Sequence, residues 1–173
     1  DSFGTTNITL RVTDSTAAYA DMVLVLNVDP VNDLPTISVI ADDTIAEDAT
    51  TSGLTFTIDD LEDPALVCFS DVTFLSSDNT SLVDSANVVV TGSGESCEVV
   101  VTPVAEASGV ANITLQVEDS DGGTATDTFQ LTVTNVDENP VIAEIPDLTV
   151  LEDSSVVATF TISDPDNNVD CNG

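Results

Sequence analysis

Apolar and polar residues alternate with a period of two along most of the chain. Over residues 53–59, Leu54, Phe56 and Ile58 fall on one side and Thr55, Thr57 and Asp59 on the other. Ile113, Leu115 and Val117 alternate with Asn112, Thr114 and Gln116, and Phe129, Leu131 and Val133 alternate with Thr128, Gln130 and Thr132. A strand turns successive side chains to opposite faces, so each segment predicts a strand with one buried face. Further strands are expected at 36–40, 72–75, 87–91 and 97–102. Gly, Asp, Asn, Ser and Pro punctuate these segments, and no stretch sustains a helical period.

The same pattern returns 105 residues later. Asn7-Ile8-Thr9-Leu10-Arg11-Val12-Thr13-Asp14 reads almost as Asn112-Ile113-Thr114-Leu115-Gln116-Val117-Glu118-Asp119. The match runs without a gap through Leu26/Leu131, Pro35/Pro140 and Glu47-Asp48/Glu152-Asp153. One residue then drops out, and Thr55-Phe56-Thr57-Ile58 matches Thr159-Phe160-Thr161-Ile162. The chain therefore reads as the C-terminal part of one repeat (1–35), a complete repeat (36–140) and the N-terminal part of a third (141–173). The expected setting is a longer tandem array. Pairing of the two partial repeats, within a chain or between chains, would also complete a second sandwich. About seven short strands per repeat predict an all-β fold of tandem Ig-like, Greek-key β-sandwiches of about 105 residues.

Composition supports a packed core. Hydrophobic residues make up 42% and mean hydropathy is +0.23, above what acidic disordered chains carry. The 24 Thr, set among many Val, suit strands. The longest apolar run, Met22 to Leu26, is far too short to span a membrane. Charge excludes whole classes of function. Asp and Glu number 32 against one basic residue, Arg11, with no His, for a formal net charge of −31. Such a chain cannot replace phosphate counterions or bind anionic lipid, so nucleic acid and membrane are not expected partners. Ser-His, Cys-His and Schiff-base chemistry cannot be assembled. A carboxylate pair of the glycosidase kind is conceivable, but it needs a cleft with substrate-stacking aromatics, and aromatics are 4%. The chain is not expected to be an enzyme.

Cys68 shares parity with Val72 and Phe74, and Cys97 with Val99 and Val101. Both are expected to face the core from opposite sheets and to form a disulfide, which implies an oxidising, extracellular setting. Cys171 occupies the place of Cys68 in its own repeat. The alternative is three buried thiols in a reducing compartment. Asn7, Asn79 and Asn112 head Asn-x-Ser/Thr sequons and are candidate glycosylation sites, Asn7 and Asn112 at equivalent outward positions.

The acids recur in four sets near the junctions of repeats. They lie before Pro35 and Pro140, at Glu47-Asp48 and Glu152-Asp153, at 59–63 and 164–166, and at Asp14 and Asp119-x-Asp121. Converging oxygen donors with no His describe a hard-cation site, and Ca²⁺ suits them best. The alternative is acidic loops with no specific ion. The run 164–170 also has the look of an EF-hand-like loop, without its sixth-position Gly and terminal Glu.

Residues 27–35 and 135–140 resemble the linkers of cadherin-like tandem repeats, as do Glu-Asp after the first strand, Ser163-Asp164-Pro165-Asp166 and Glu118-Asp119-Ser120-Asp121-Gly122-Gly123. These segments also resemble the cadherin-like and Ig-like repeats of large secreted bacterial adhesins. The resemblance implies calcium between domains. By position it assigns Asp14, Asp29, Asn32, Asp33, Glu47, Asp60 and Glu62 to the first junction, and Asp119, Asp121, Asp137, Glu138, Asn139, Glu152, Asp164 and Asp166 to the second. Thr16 stands where Asp121 stands in the next repeat, and Asp60-Leu61-Glu62 replaces Asp-x-Asp, so the junctions are expected to differ. The function implied is a calcium-stiffened stalk or filament segment of a cell-surface protein. Its partners would be neighbouring repeats and like chains. The other reading is adhesion by the repeats themselves, to like chains or to a glycan, the latter weakened by one Tyr and no Trp.

Overall fold

The computed structural model describes residues 2–166. Along the chain the strands are β1 (Gly4–Thr13), β2 (Tyr19–Val28), β3 (Thr36–Ile37), β4 (Asp43–Ala46), β5 (Leu54–Asp59), β6 (Val72–Ser77), β7 (Val88–Ser93), β8 (Ser96–Val101), β9 (Gly109–Glu118), β10 (Thr124–Thr134), β11 (Val141–Ile142) and β12 (Ile162–Ser163). A single helical turn, α1 (Cys68–Asp71), precedes β6. Two four-stranded sheets, β3-β5-β8-β7 and β4-β10-β9-β6, form the central sandwich. β1 and β2 make a separate hairpin, and β11 pairs with β12. Cys171, Asn168 and Asp170 lie outside the described residues.

The period-two segments became strands with the expected faces. Ile113, Leu115 and Val117 of β9 and Leu131 and Val133 of β10 are buried against Phe56, Ile58, Val99 and Val101 of the opposite sheet. Eighteen buried residues make this one core. At about 1.5–3 kcal/mol per buried aliphatic or aromatic side chain, this burial is the main favourable contribution to folding.

Two elements differ from expectation. The first strand stops at Ile37 because the chain then crosses between sheets. The Ile40 N–H donates to Asp127 Oδ2 at 2.8 Å, and Ile40 plugs the core. Beyond the crossing lies β4, which the alternation did not predict. It pairs in parallel with β10, from Leu131↔Asp43 to Thr134↔Ala46.

Backbone geometry repeats with the sequence. Thr36 and Ile37 pair with Asp59 and Ile58, and Val141 and Ile142 pair with Ser163 and Ile162. Asp48 and its counterpart Asp153 both adopt positive φ, 59° and 65°.

Cys68 and Cys97 form a disulfide with Cα atoms 5.4 Å apart. Cys97 lies on β8, whereas Cys68 lies in α1 ahead of β6 rather than on a strand. The bridge therefore ties the turn leading into one sheet to a strand of the other. Gly92 on β7 has φ +148°, and a Cβ there would approach Cys68 Sγ to 3.0 Å, so the bridge packs on bare backbone. Closing a 29-residue span stabilises by roughly 3–4 kcal/mol in the chain-entropy model. We expect C68S/C97S to melt roughly 12–30 °C below the oxidised protein in calorimetry. Equal midpoints would show that the bridge contributes little.

Candidate metal centres

β9 and β10 run the length of the sandwich, so their connecting turn lies at one end and the exit of β10 at the other. Eleven residues of β10 span about 35 Å. The end holding the β9–β10 turn also receives the linker from β2 and is called upstream. The end where β10 leaves is downstream.

At the upstream end, Asp119 Oδ1 accepts from the N–H groups of Asp121 (2.9 Å) and Gly123 (2.8 Å), closing the turn, while Oδ2 accepts from Asn32 Nδ2 of the linker at 3.1 Å. A Cβ at Gly123 would run into that carboxylate. Asp60 Oδ1 accepts from the N–H groups of Glu62 and Asp63, both at 2.8 Å. Glu62 Oε2 accepts from the Asp33 N–H at 3.2 Å, and Asp63 Oδ2 from the Ser120 N–H at 3.0 Å. Asp29 accepts from Asn27 Nδ2 at 2.6 Å and lines, with Asp33 and Glu62, a cleft of about 290 Å³. Asp60 and Asp119 are buried, 7% and 5% exposed. Desolvation pushes the Asp119 carboxyl up, but its donors, Asn32 first, outweigh that and hold it below the ordinary range. The backbone N–H of Ser120 does the same for Asp63.

At the downstream end, the parallel run of β4 beside β10 delivers Glu47. Its N–H donates to Thr134 O at 2.9 Å. Glu47 Oε1 accepts from Asn135 Nδ2 at 2.9 Å and from the Val136 N–H, and the residue is 5% exposed. Asn135 Nδ2 also donates to Asp166 Oδ1, and the Glu138 N–H donates to Asp166 Oδ2 at 2.7 Å. Asp164 Oδ1 accepts from the Asp166 N–H at 3.0 Å. One carboxylate oxygen from each of Glu47, Glu138 and Asp166 lies within 4.8 Å of the others, and the same holds for Asp48, Glu106 and Glu138. Desolvation, then the proximity of Asp166, Glu47 and Glu106, pushes the Glu138 carboxyl up to about 7. Asp166 is held low, chiefly by the Glu138 N–H. Glu106 is raised by desolvation and by Asp48, Glu47 and Asp166.

Four expected placements are corrected. Glu47 belongs to the downstream group, because β4 carries it away from the first linker. Asp119 and Asp121 belong to the upstream group, because the turn that holds them is one strand length from the second linker. Asp14 closes the far end of the β1–β2 hairpin, accepting from Thr16 N (2.8 Å) and Ala18 N (2.9 Å), about 30 Å from Asp29, Asn32 and Asp33. Glu152 is exposed after residues 148–151, the sequence counterpart of β4, and is not among the carboxylates that meet at the second linker. The upstream set is therefore Asp29, Asn32, Asp33, Asp60, Glu62, Asp119 and Asp121, with Asp63 added. The downstream set is Glu47, Asp137, Glu138, Asn139, Asp164 and Asp166, joined by Asp48, Glu106 and Asn135. Of these, Asp137 and Asn139 are exposed in the linker.

The donor sets suit a hard cation. Asp60 Oδ2, Glu62 Oε1 and Glu138 Oε2 are buried carboxylate oxygens without a hydrogen-bond partner. Leaving such atoms unpaired is costly, and a cation would satisfy them. The chain cannot supply one, since Arg11 is held by Asp21 at 2.6 and 2.7 Å and stacks over Tyr19.

The sequons differ in their surroundings. Asn112 Nδ2 donates to Asp78 Oδ2 and Asn79 Nδ2 to Val110 O, whereas Asn7 is exposed on the hairpin.

The fold is an all-β sandwich of the Ig-like, cadherin-like kind. Among solved structures, the protocadherin gammaB7 EC3-6 cis-dimer aligns with TM-score 0.52 and 19% identity, covering 95% of this chain and 41% of that one. Extracellular cadherin domains 3–6 of protocadherin gamma B2 align with TM-score 0.50 and 16% identity, covering 95% and 43%. A titin M10 complex with an obscurin-like 1 Ig domain aligns with TM-score 0.41 and 15% identity, covering 59% and 95%. At these identities the likeness is one of fold, and the chain spans under half the length of either protocadherin structure. No protein-family model and no curated protein matches the chain.

The raised Glu138 carboxyl has a signed consequence in metal-free protein. Its contribution to stability is fully present below the ordinary 4.5 and is lost as pH rises through about 7. Asp166, held low, stays ionised across that window. In chelator, melts should therefore show lower stability at pH 8 than at pH 5.5, and Glu138→Gln should flatten the difference. A wild-type profile that is flat or rises with pH would contradict the assignment.

Proposed function

We propose that the chain is a structural segment of an extracellular stalk or surface filament, built from repeats at 1–35, 36–140 and 141–173 and stiffened by Ca²⁺ at the two linkers. The observation that carries this reading is the set of buried, unpartnered carboxylate oxygens at both ends of the sandwich, in a chain with no spare cation. Bound Ca²⁺ would turn mutual repulsion at each linker into shared coordination. Asp60, Glu62 and Asp119 would hold it upstream against Asn32 and Asp33. Glu47, Glu138 and Asp166 would hold it downstream. A linker with ligands from both flanking repeats cannot bend without losing ligands, so the array behaves as a rod.

An extracellular setting agrees with the disulfide. No helix among the described residues is long and apolar enough to cross a membrane. The resemblance to repeats of large bacterial adhesins supports the same role, with neighbouring repeats and like chains as partners. The reading assigns no catalysis.

Adding Ca²⁺ to chelated protein should raise the melting midpoint and lengthen the maximum dimension in small-angle scattering. If neither changes, the stalk reading fails. Glu47→Gln should abolish the downstream binding step in calorimetric titration and spare the upstream one, and Asp60→Asn should do the reverse. Loss of the upstream step in Glu47→Gln would refute the placement of the two sets.

A further inference from the structure

The central sandwich has its sheet edges at β3 and β7 on one side and at β4 and β6 on the other. An edge strand presents open N–H and C=O groups, and folded proteins guard such edges with charge, proline, bulges or shortness. β3 has two residues. β4 begins at Asp43, directly after Asp42. β6 carries a register shift between Phe74 and Ser76 and is flanked by Asp71 and Asp78. β7 has none of these guards. From Ser85 to Gly94 there is no acid, no base and no proline, in a chain of net charge −31. Its register with β8 runs unshifted from Val88↔Val101 to Ser93↔Ser96.

The phase of that pairing shows which backbone groups are open. The Thr102 N–H donates to Asn87 O at 2.9 Å, so Asn87 faces Thr102 in a hydrogen-bonded position. Such positions alternate along an antiparallel ladder. Val89 and Thr91 are therefore bonded to β8, and the N–H and C=O of Val88 and Val90 turn outward. Neither residue makes an outward hydrogen bond among the described residues. Beyond them α1 closes the edge. The Cys68 N–H donates to Gly94 O at 3.2 Å, and Cys68 Sγ lies against Gly92. The side chains of Val88 and Val90 are half-buried against the core, whereas Val89 is 55% exposed on the outer face.

We propose that β7 pairs two copies of this chain laterally, by antiparallel addition of β7 to β7 about a two-fold axis at Val89. In that register Val88 of each copy exchanges backbone hydrogen bonds with Val90 of the other, so the open groups of both are satisfied. The two Val89 side chains meet on the axis as a non-hydrogen-bonded pair, with Cα atoms about 4.5 Å apart. The occupant is a second copy because the strand complements itself. Asp84 falls opposite Gly94 and Glu95 opposite Val83, so no carboxylate opposes another. A basic partner would find no acid on the strand to meet. The contact is isologous and closes at two copies, which then share one continuous sheet. The opposing force is repulsion between two acidic chains, which salt screens, so pairing should strengthen as salt rises. The contact uses neither linker and does not depend on the Ca²⁺ reading.

Sedimentation velocity of the full chain in low and high salt, read together with amide exchange, tests this. The wild-type chain should pass from monomer to dimer with concentration, more readily in high salt. Amide exchange at Val88 and Val90 should slow as the dimer fills. Val89→Asp sets two carboxylates on the axis and should abolish that slowing, and an unchanged melting midpoint shows its sandwich intact. In a Cys171→Ser background, Val89→Cys should oxidise to a disulfide-linked dimer, since the expected Cα separation is one a disulfide spans. Leu75→Cys, 51% exposed on the bulged edge, should not. A wild-type chain monomeric at its solubility limit would overturn the proposal. So would slowed exchange that survives Val89→Asp, or equal cross-linking of Leu75→Cys and Val89→Cys.

Discussion

Strand β4 runs in the same direction as β10, and this short parallel pairing, Asp43–Ala46 with Leu131–Thr134, decides which end of the sandwich the early acids occupy. It closes the sheet edge beside the last strand. It also carries the chain from the upstream linker to the downstream one before β5 begins. Glu47 thereby arrives beside Asn135 and Val136, 88 and 89 residues away in sequence. A sheet closed by an antiparallel strand there would have left Glu47 with the first linker. The downstream group would then lack its most buried carboxylate.

Electrostatics follows from that placement. With 32 acids and one base, the chain cannot pair its own charges. Backbone N–H groups do much of the compensation instead, at Asp60, Asp63, Asp119, Asp164 and Asp166. Each such donor stabilises an ionised carboxylate, and several hold the group below its ordinary range. Donors run out at Asp60 Oδ2, Glu62 Oε1 and Glu138 Oε2. These oxygens lie beside the two linkers, so the unmet demand for positive charge is concentrated there.

The fold was largely legible because side-chain alternation and the 105-residue repeat are both local readings. Ile113, Leu115 and Val117 announce a buried face without knowledge of their partners. β4 was not legible, since Asp43-Thr44-Ile45-Ala46 offers one large apolar residue and begins on the second of two adjacent acids, so it reads as punctuation. The membership of the acidic groups was legible as a list but not as a partition. Recurrence at equal offsets flags Glu47 and Asp119 without saying which end of a strand each occupies, and that depends on non-local pairing. Glu106 was missed for a related reason. It is an isolated acid in a Pro- and Ala-rich turn, and its counterpart 105 residues earlier is position 1, so no repeated motif marked it. Only its approach to Asp48 and Glu138 in space reveals it.

The disulfide bears on extension as well as on stability. Were sandwiches of this kind pulled in series, force would enter near Thr36 and leave near Pro140, with the Cys68–Cys97 bridge on the covalent path between them. Should the sheets separate, the 29 residues inside the bridge remain a closed loop and bear no load. At about 3.5 Å per residue, each ruptured repeat then lengthens by roughly 100 Å less than its chain would otherwise allow. Compliance would thus be capped by covalent structure, and a tether made of such units would reach a defined maximum extension after yielding.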